Sequence, residues 1–156
     1  MGYFKVARYP LLRRRVIVLQ YGYMAKQSPL STSKIVAFVG ATDPVRAKTF
    51  YRDKLGLALQ SEDPFAIVFD GNGTMLRVSI VPKVVPAGYT VLGWNVANAA
   101  EAAQYLNSAG IQCERYEGMS QDSLGIWPAP GGAKVAWFKD PDGNTLSISE
   151  LPGVKK

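Results

Sequence analysis

The order of strand and helix signals in this sequence repeats after about 55 residues, and this repeat limits the possible folds more than any other feature. From residue 34 onward, a short apolar strand is followed by an amphipathic helix and then by three further short strands. The first copy covers about residues 34–81 and the second about residues 90–150. The sequence therefore predicts one α+β domain, residues 34–151, built from two tandem βαβββ modules.

The first copy carries specific helix and hairpin signals. Residues 34–41 are an apolar run rich in branched side chains, which predicts a strand. Asp43 fits the N-cap of the following helix and Pro44 its first position, while Gly56 suits the position just past its end. The predicted buried stripe of this helix is Ala47, Phe50 and Tyr51. The strands predicted next are residues 57–61, 65–70 and 74–81, the last two joined by the hairpin signal Asp70-Gly71-Asn72-Gly73.

The second copy repeats this order. Residues 90–96 predict a strand, and Asn98 with Glu101 resembles a capping box at the start of a helix that ends at Gly110. The predicted buried stripe of that helix is Ala99, Ala102, Ala103 and Leu106. The remaining predicted strands are residues 111–114, 134–138 and 145–150, with a loop over 116–132 and the turn Asp140-Pro141-Asp142-Gly143 before the last strand.

Residues 1–33 differ from the rest of the chain in charge. They contain six basic side chains and no acidic one, whereas residues 34–156 contain 12 of each. A basic tail on a neutral domain is not the clustered stripe of a nucleic-acid groove, so we predict no nucleic-acid partner. The apolar run at residues 16–19 is too short for a membrane span, so we predict no membrane association. The tail is interpreted as a disordered extension, an organelle presequence or, as we favour, the product of a start assigned too early, with Met24 the true start.

The counts of histidine and cysteine limit the chemistry. The sequence contains no histidine, so imidazole is excluded as a metal ligand, a general base or a proton shuttle, even in a homo-oligomer. A single cysteine, Cys113, cannot form an intrachain disulfide or a cysteine cluster for zinc. This cysteine content is typical of a reducing compartment, and we predict a cytoplasmic location.

The motifs at the two ends of the repeat resemble those of a known superfamily. Asp43, Phe50-Tyr51 and Leu55-Gly56 resemble the "D…FY…LG" pattern of the vicinal oxygen chelate proteins, which include glyoxalases, bleomycin-resistance proteins and extradiol dioxygenases. The segment Phe138-Lys139-Asp140-Pro141-Asp142-Gly143-Asn144 resembles their closing "F-x-D-P-D-G-N". The resemblance covers residues 34–151. It implies that the modules form a curved mixed sheet around one cavity with the helices outside, and that two chains pair as a homodimer.

The same resemblance implies where a metal ion would be bound. Members of this superfamily usually hold a divalent ion with His, Gln or Glu at four strand positions, and the ion polarises substrate oxygens. Aligned on the two motifs, these positions fall on Val36, Leu76, Val91 and Ser147. None of these side chains is a ligand of the strength that zinc, nickel, iron or manganese sites need. We therefore predict no metal and no other cofactor, and no metal-dependent glyoxalase or dioxygenase activity.

Strand alternation assigns other side chains to the predicted cavity. Trp94 and Glu150 fall on the opposite parity, so they are expected to point away from it, Trp94 towards a helix. For Phe38, Val36 and Val91, simple core packing is the alternative to lining the cavity. For Trp127, in its predicted loop, the alternative to contacting a ligand is that it only covers the core. The candidate ligand-binding residues are Val36, Phe38, Val91, Asn95, Trp127, Ser147 and Ser149.

Three functional hypotheses follow from a cavity without metal ligands. The first is a binding protein of the bleomycin-resistance type, which sequesters a small, aromatic or amphipathic organic molecule. The second is a metal-independent lyase or isomerase that uses acid–base chemistry, although the sequence offers no obvious catalytic pair. The third is a structural or regulatory domain that has lost its ligand. No catalytic residue is assigned, because a fold by itself does not choose among these functions.

Overall fold

A computed structural model describes residues 28–153. The chain divides into two units between Ser33 and Lys34. In the described part of the first unit, Pro29–Thr32 form one turn of 3₁₀ helix, and the Ser28 side chain caps it by accepting a hydrogen bond from the Leu30 N–H. The predictions about residues 1–27, including a start at Met24, lie outside the described residues. Between residues 28 and 153, no helix is long and apolar enough to cross a membrane.

The second unit contains the two βαβββ modules that the repeat predicts. In the first module the sheet order is β1-β4-β3-β2, with β1 parallel to β4. The second module has the equivalent order β5-β8-β7-β6, with β5 parallel to β8. The elements are β1 (Val36–Ala41), α1 (Pro44–Lys48), β2 (Ala58–Asp63), β3 (Ala66–Gly71), β4 (Thr74–Ile80), β5 (Leu92–Asn95), α2 (Ala99–Ser108), β6 (Trp127–Pro128), β7 (Lys134–Lys139) and β8 (Thr145–Glu150).

The first helix changes its geometry halfway, which the sequence pattern did not predict. It is α-helical over Pro44–Lys48, with Asp43 as N-cap, and continues as a π-helix over Thr49–Lys54. The wider turn is marked by the bond from the Leu55 N–H to the Phe50 carbonyl, five residues back. Phe50 and Tyr51 are adjacent in sequence and both buried, and their rings pack edge to face at 5.1 Å. Tyr51 also packs against Phe69 on β3, with ring centroids 5.9 Å apart.

The fourth strand of the second sheet is not where the sequence predicted it. Residues 111–114 form no strand, although the Glu114 N–H donates one hydrogen bond to the Trp137 carbonyl. The edge position is taken by β6, only two residues long, which pairs Trp127 with Val135. The residue after Trp127 is Pro128, which has no N–H to donate and is therefore tolerated only at a sheet edge. Trp127 thus lies on a short strand rather than in a loop.

Each sheet has one face covered by its helix and one face that we call the open face. On β1, Val39 and Ala41 are buried on the helix-covered face, whereas Val36 and Phe38 point to the open face. In the second module, Trp94 lies on the helix-covered face, as predicted, and its ring packs against Phe138 at 6.1 Å. The helix stripes are buried as predicted, except that Ala102 is only partly buried. This parity decides which side chains can meet a ligand.

The two resemblance motifs bond to each other and join the modules. The buried Asp140 carboxylate accepts hydrogen bonds from the Tyr51 hydroxyl (2.8 Å) and from the Asn144 N–H (2.9 Å) and amide Nδ2 (2.7 Å). Asn144 also donates to the Gly40 carbonyl at the end of β1 (2.9 Å). Burial and the Asp140 charge raise the pKa of Tyr51 far above its usual value, so this hydroxyl remains a donor. We call Tyr51, Asp140 and Asn144 the inter-module cluster.

Glu150 has a structural contact on the helix-covered side. Its carboxylate accepts a hydrogen bond from the Ala99 N–H at the start of α2 (2.9 Å) and pairs with the Lys134 ammonium (2.7 Å). The Ala99 bond, followed by the Lys134 bond, lowers the pKa of Glu150. Glu150 therefore stabilises a helix N-terminus, in agreement with the parity that placed it away from the cavity.

Candidate functional site

The open face of the second module carries most of the polar candidate residues. Cross-strand neighbours point to the same face, and β8 pairs Ser147 with Trp137 and Ser149 with Val135. On the other side of β8, Ser147 pairs with Gly93 and Ser149 with the exposed Asn95. The predicted residues Asn95, Ser147 and Ser149 therefore share one face, and Trp137 lies between them and the edge strand.

Three aromatic rings form a cluster on this face. Trp137 is partly buried, and Trp127 packs against it with ring centroids 6.0 Å apart and a tilt of 33°. Tyr116 meets the Trp137 ring edge to face at 5.5 Å. The Trp137 indole donates a hydrogen bond to the Thr90 hydroxyl (3.1 Å), which fixes the ring orientation. We call Tyr116, Trp127 and Trp137 the aromatic cluster; a planar molecule can stack on rings held in this way.

A lysine lies beside the aromatic cluster. Lys139 follows Trp137 by two residues on β7 and thus shares its face. Its ammonium donates to the Thr145 hydroxyl (2.6 Å), and within residues 28–153 no carboxylate lies at ion-pair distance from it. Tyr116, Trp137, Lys139 and Thr145 line a pocket of about 360 Å³. The pocket therefore offers a cation beside aromatic faces.

Ser147 is less accessible than its face suggests. Only 6% of the residue is exposed, because its Oγ lies against the backbone of Gly93. A Cβ at position 93 would come within 2.7 Å of that oxygen, so a larger residue here would force the Ser147 hydroxyl to move. Ser147 supports the floor of the open face and is covered on one side by Trp137.

The first module presents a more apolar open face. Phe38 is 62% exposed and Val36 39% exposed. Their cross-strand neighbours on β4 are Arg77 and Met75, respectively. Val36 and Met75 line a pocket of about 320 Å³ near the start of β1. The structure thus places Val36 and Phe38 in one group and the polar candidates of the second module in another.

Two positions from the sequence alignment lie elsewhere than expected. Leu76 is buried on the helix-covered face of the first sheet, because β4 pairs it with Ala37 there. Val91 lies one residue before β5 and packs, partly buried, against the core. The open-face neighbours of Leu76 on β4 are Met75 and Arg77.

Trp137, Lys139 and Tyr116 are not among the candidate residues predicted from the sequence. For the first two a signal existed, since the turn at residues 140–143 fixes the register of β7 against β8 and places Trp137 opposite Ser147. Tyr116 gave no such signal. It lies in a long segment without periodicity, where the Gln121 side chain holds the chain by accepting from the Tyr116 N–H (2.8 Å) and donating to the Glu114 carbonyl (2.9 Å).

The side chains at the superfamily's metal positions do not fit a divalent ion. Val36 and its neighbour Met75 offer no hard oxygen or nitrogen donor, and the Ser147 hydroxyl is buried against Gly93. Within the described part of the chain, no group of three or more Asp, Glu or Cys side chains is placed to hold an ion. The one cysteine is not activated, because burial raises the pKa of the Cys113 thiol.

Two four-stranded mixed sheets, each made by a βαβββ module and open on one face, define the glyoxalase-type fold. The chain belongs to the Glyoxalase/Bleomycin resistance protein/Dioxygenase superfamily, whose family model matches residues 34–148. No curated protein sequence matches it significantly.

Solved structures of this superfamily share the fold. A bleomycin resistance determinant encoded on the transposon Tn5 superposes with a TM-score of 0.62 at 20% identity, covering 78% of this chain and 99% of that one. Lactoylglutathione lyase from Agrobacterium tumefaciens gives 0.60 at 18% identity, covering 76% and 93%. A superfamily member from Sphaerobacter thermophilus gives 0.59 at 22% identity, covering 76% and 96%.

Proposed function

We propose that this chain binds a small, planar organic anion on the open face of its second module, without a metal ion or other cofactor, and that it does so as a cytoplasmic homodimer. The observation that carries the proposal is the aromatic cluster with Lys139 beside it. A pocket of about 360 Å³ falls in the range of small-molecule sites, and ring faces combined with one placed charge are typical of such sites. The Lys139 ammonium, which has no carboxylate partner within residues 28–153, supplies the counter-charge for a carboxylate or phenolate.

Binding is favoured over catalysis by the composition of the pocket. The residues that line it include no carboxylate, so a general acid and base would have to be chosen from Lys139, Tyr116 and Tyr89. Burial and, to a smaller degree, Glu114 raise the pKa of Tyr116, which makes this phenol a weaker acid. Lys139 already donates to Thr145. These groups suit recognition of an anion better than proton transfer at neutral pH.

Ligand binding is tested with naphthalene-2-carboxylate and its neutral amide, using the intrinsic tryptophan fluorescence of the full chain. We expect the carboxylate to bind more tightly, and Lys139→Gln to weaken it about tenfold while leaving the amide unchanged, because one charge-assisted bond is lost. Lys134→Gln is the matched control, since Lys134 lies on the same strand but pairs with Glu150 on the other face.

Two outcomes would contradict the binding proposal. Equal binding of acid and amide, or equal effects of Lys139→Gln and Lys134→Gln, would show that Lys139 does not recognise the charge. Tight, stoichiometric binding of Zn²⁺, Ni²⁺ or Mn²⁺ in a calorimetric titration would show that the proposal of binding without a metal ion is wrong.

The homodimer is supported by the open face of the first module. Phe38 exposes 62% of its surface beside Val36, and Met75 lies opposite Val36 on β4, with Arg77 at the border of this apolar patch. Exposed apolar patches of this kind usually mark an interface. We expect sedimentation to show a dimer, and Phe38→Glu to weaken it roughly 100-fold because a charge would be buried in the contact. Phe65→Glu is the control, since Phe65 is 74% exposed in the turn between β2 and β3. A wild-type monomer at high concentration would contradict the proposal.

A further inference from the structure

An apolar cavity of about 220 Å³ lies on the helix-covered side of the second sheet. Its walls come from α2, from β5, β7 and β8, from Val96 just after β5 and from Leu55 after the first helix. Trp94 and Ile148 pair across β5 and β8, so both point away from the open face that carries the aromatic cluster. The second sheet therefore separates this cavity from the pocket beside Lys139.

Ala102 is the smallest of the α2 side chains that line the cavity. Ala102 lies among its lining residues on the helix side, while Leu106, one turn later, is buried. On the sheet side the wall is the stacked pair of Trp94 and Phe138, with ring planes inclined by 26°. Side chains at such a gap lack contact partners on one side, and a ligand that fills it supplies those contacts.

The lining defines the chemistry of the occupant. The residues around the cavity include no charged side chain, and two of them carry a polar group. The Tyr105 hydroxyl already donates to the Lys54 carbonyl (3.0 Å), and Trp94 offers an indole N–H, which is a donor only. A charged molecule would lose its hydration here without gaining a partner. An apolar cavity of about 150 Å³ is large enough for benzene, so this one has room for a substituted ring. Tyr105 is half exposed, which places it at the entrance.

We propose that this cavity is a second binding site, for small uncharged aromatic molecules, and that it is independent of the open-face site.

The test uses toluene as the probe and the full-length chain with labelled methyl groups. In the wild type, we expect toluene to shift the NMR signals of the Ile148 and Leu106 methyls and to leave those of Val36 and Val135 on the open faces unchanged. Benzoate, which has the same ring with a charge, should bind this site at least tenfold more weakly.

Ala102→Leu provides the matched variant, because its added carbons would occupy the cavity. We expect it to weaken toluene binding at least tenfold without lowering the unfolding temperature, whereas Gln104→Leu, which adds a leucine on the exposed side of the same helix, should leave binding unchanged. Shifts confined to Val36 and Val135, no shifts near saturation, or unchanged affinity in a folded Ala102→Leu variant would each overturn the proposal. If that variant does not fold, the methyl shifts of the wild type test the proposal by themselves.

Discussion

Asp140→Ala is expected to lower the unfolding temperature by about 10–15 °C, the largest effect of any single substitution considered for this chain. Asp140 is 5% exposed and accepts from the Tyr51 hydroxyl, from Asn144 and from the Asp142 N–H. Alanine would leave these buried donors without an acceptor, which costs roughly 3–5 kcal/mol. The loss falls at the junction of the two modules and is measured by calorimetry or thermal unfolding followed by circular dichroism.

Two comparisons isolate the inter-module cluster as the cause. Asp53→Ala removes an exposed carboxylate whose one ion-pair partner within residues 28–153 is its neighbour Arg52, and it should leave the unfolding temperature essentially unchanged. Tyr51→Phe removes one partner of Asp140 and should cost about 1–3 kcal/mol, and its effect should be largely lost in the Asp140→Ala background. Additive effects of the two substitutions, or equal effects of Asp140→Ala and Asp53→Ala, would show that the cluster does not join the modules.

Gly125→Ala is the second substitution with a large expected effect. Gly125 has φ +86°, in the left-handed region, and a Cβ there would lie 2.6 Å from the Cβ of Cys113. The conformation costs about 1–2 kcal/mol for a residue with a side chain, and the overlap adds about 1–3 kcal/mol. Trp127 follows two residues later, so we also expect this variant to disturb the aromatic cluster and weaken ligand binding. Urea unfolding and tryptophan fluorescence measure the two effects.

A glycine with similar backbone geometry but free space provides the control. Gly118 has φ +79° and no atom within 4 Å of its would-be Cβ, so Gly118→Ala should cost only the conformational part, about 1–2 kcal/mol. Replacing Cys113 with glycine removes the colliding atom and should recover part of the stability of Gly125→Ala. If both alanine variants are equally stable, the contact with Cys113 is not the cause.

The elements of this fold could be predicted because their signals are local. Asp43 and Asn98 cap their helices, accepting from the N–H groups that the sequence indicated. The hairpin between β3 and β4 turns at Asn72 and Gly73, both with positive φ, as its sequence requires. The alternation of side chains along β1 also placed Phe38 on the face opposite to the buried Val39. Each of these features depends on residues within one turn or one strand of each other.

The candidate site could be predicted only in part, because it depends on pairings between distant segments. Trp137 became a candidate only when β7 paired with β8, and Tyr116 only when its loop brought it against Trp137. The π-helical turn after Lys48 and the replacement of residues 111–114 by β6 likewise follow from packing, which local patterns do not contain.

The sequence by itself determined the two βαβββ modules, the face on which most candidate side chains lie and the lack of histidine for a metal site, since these depend on local patterns and on residue type. Only the tertiary structure decided that the two resemblance motifs bond to each other and that Lys139 lies beside an aromatic cluster. It also decided that a cavity lies beside Trp94 on the helix-covered side of the second sheet. The physical reason is that these features form between residues distant in sequence, where register, burial and the space left by each side chain are set by the whole packed domain.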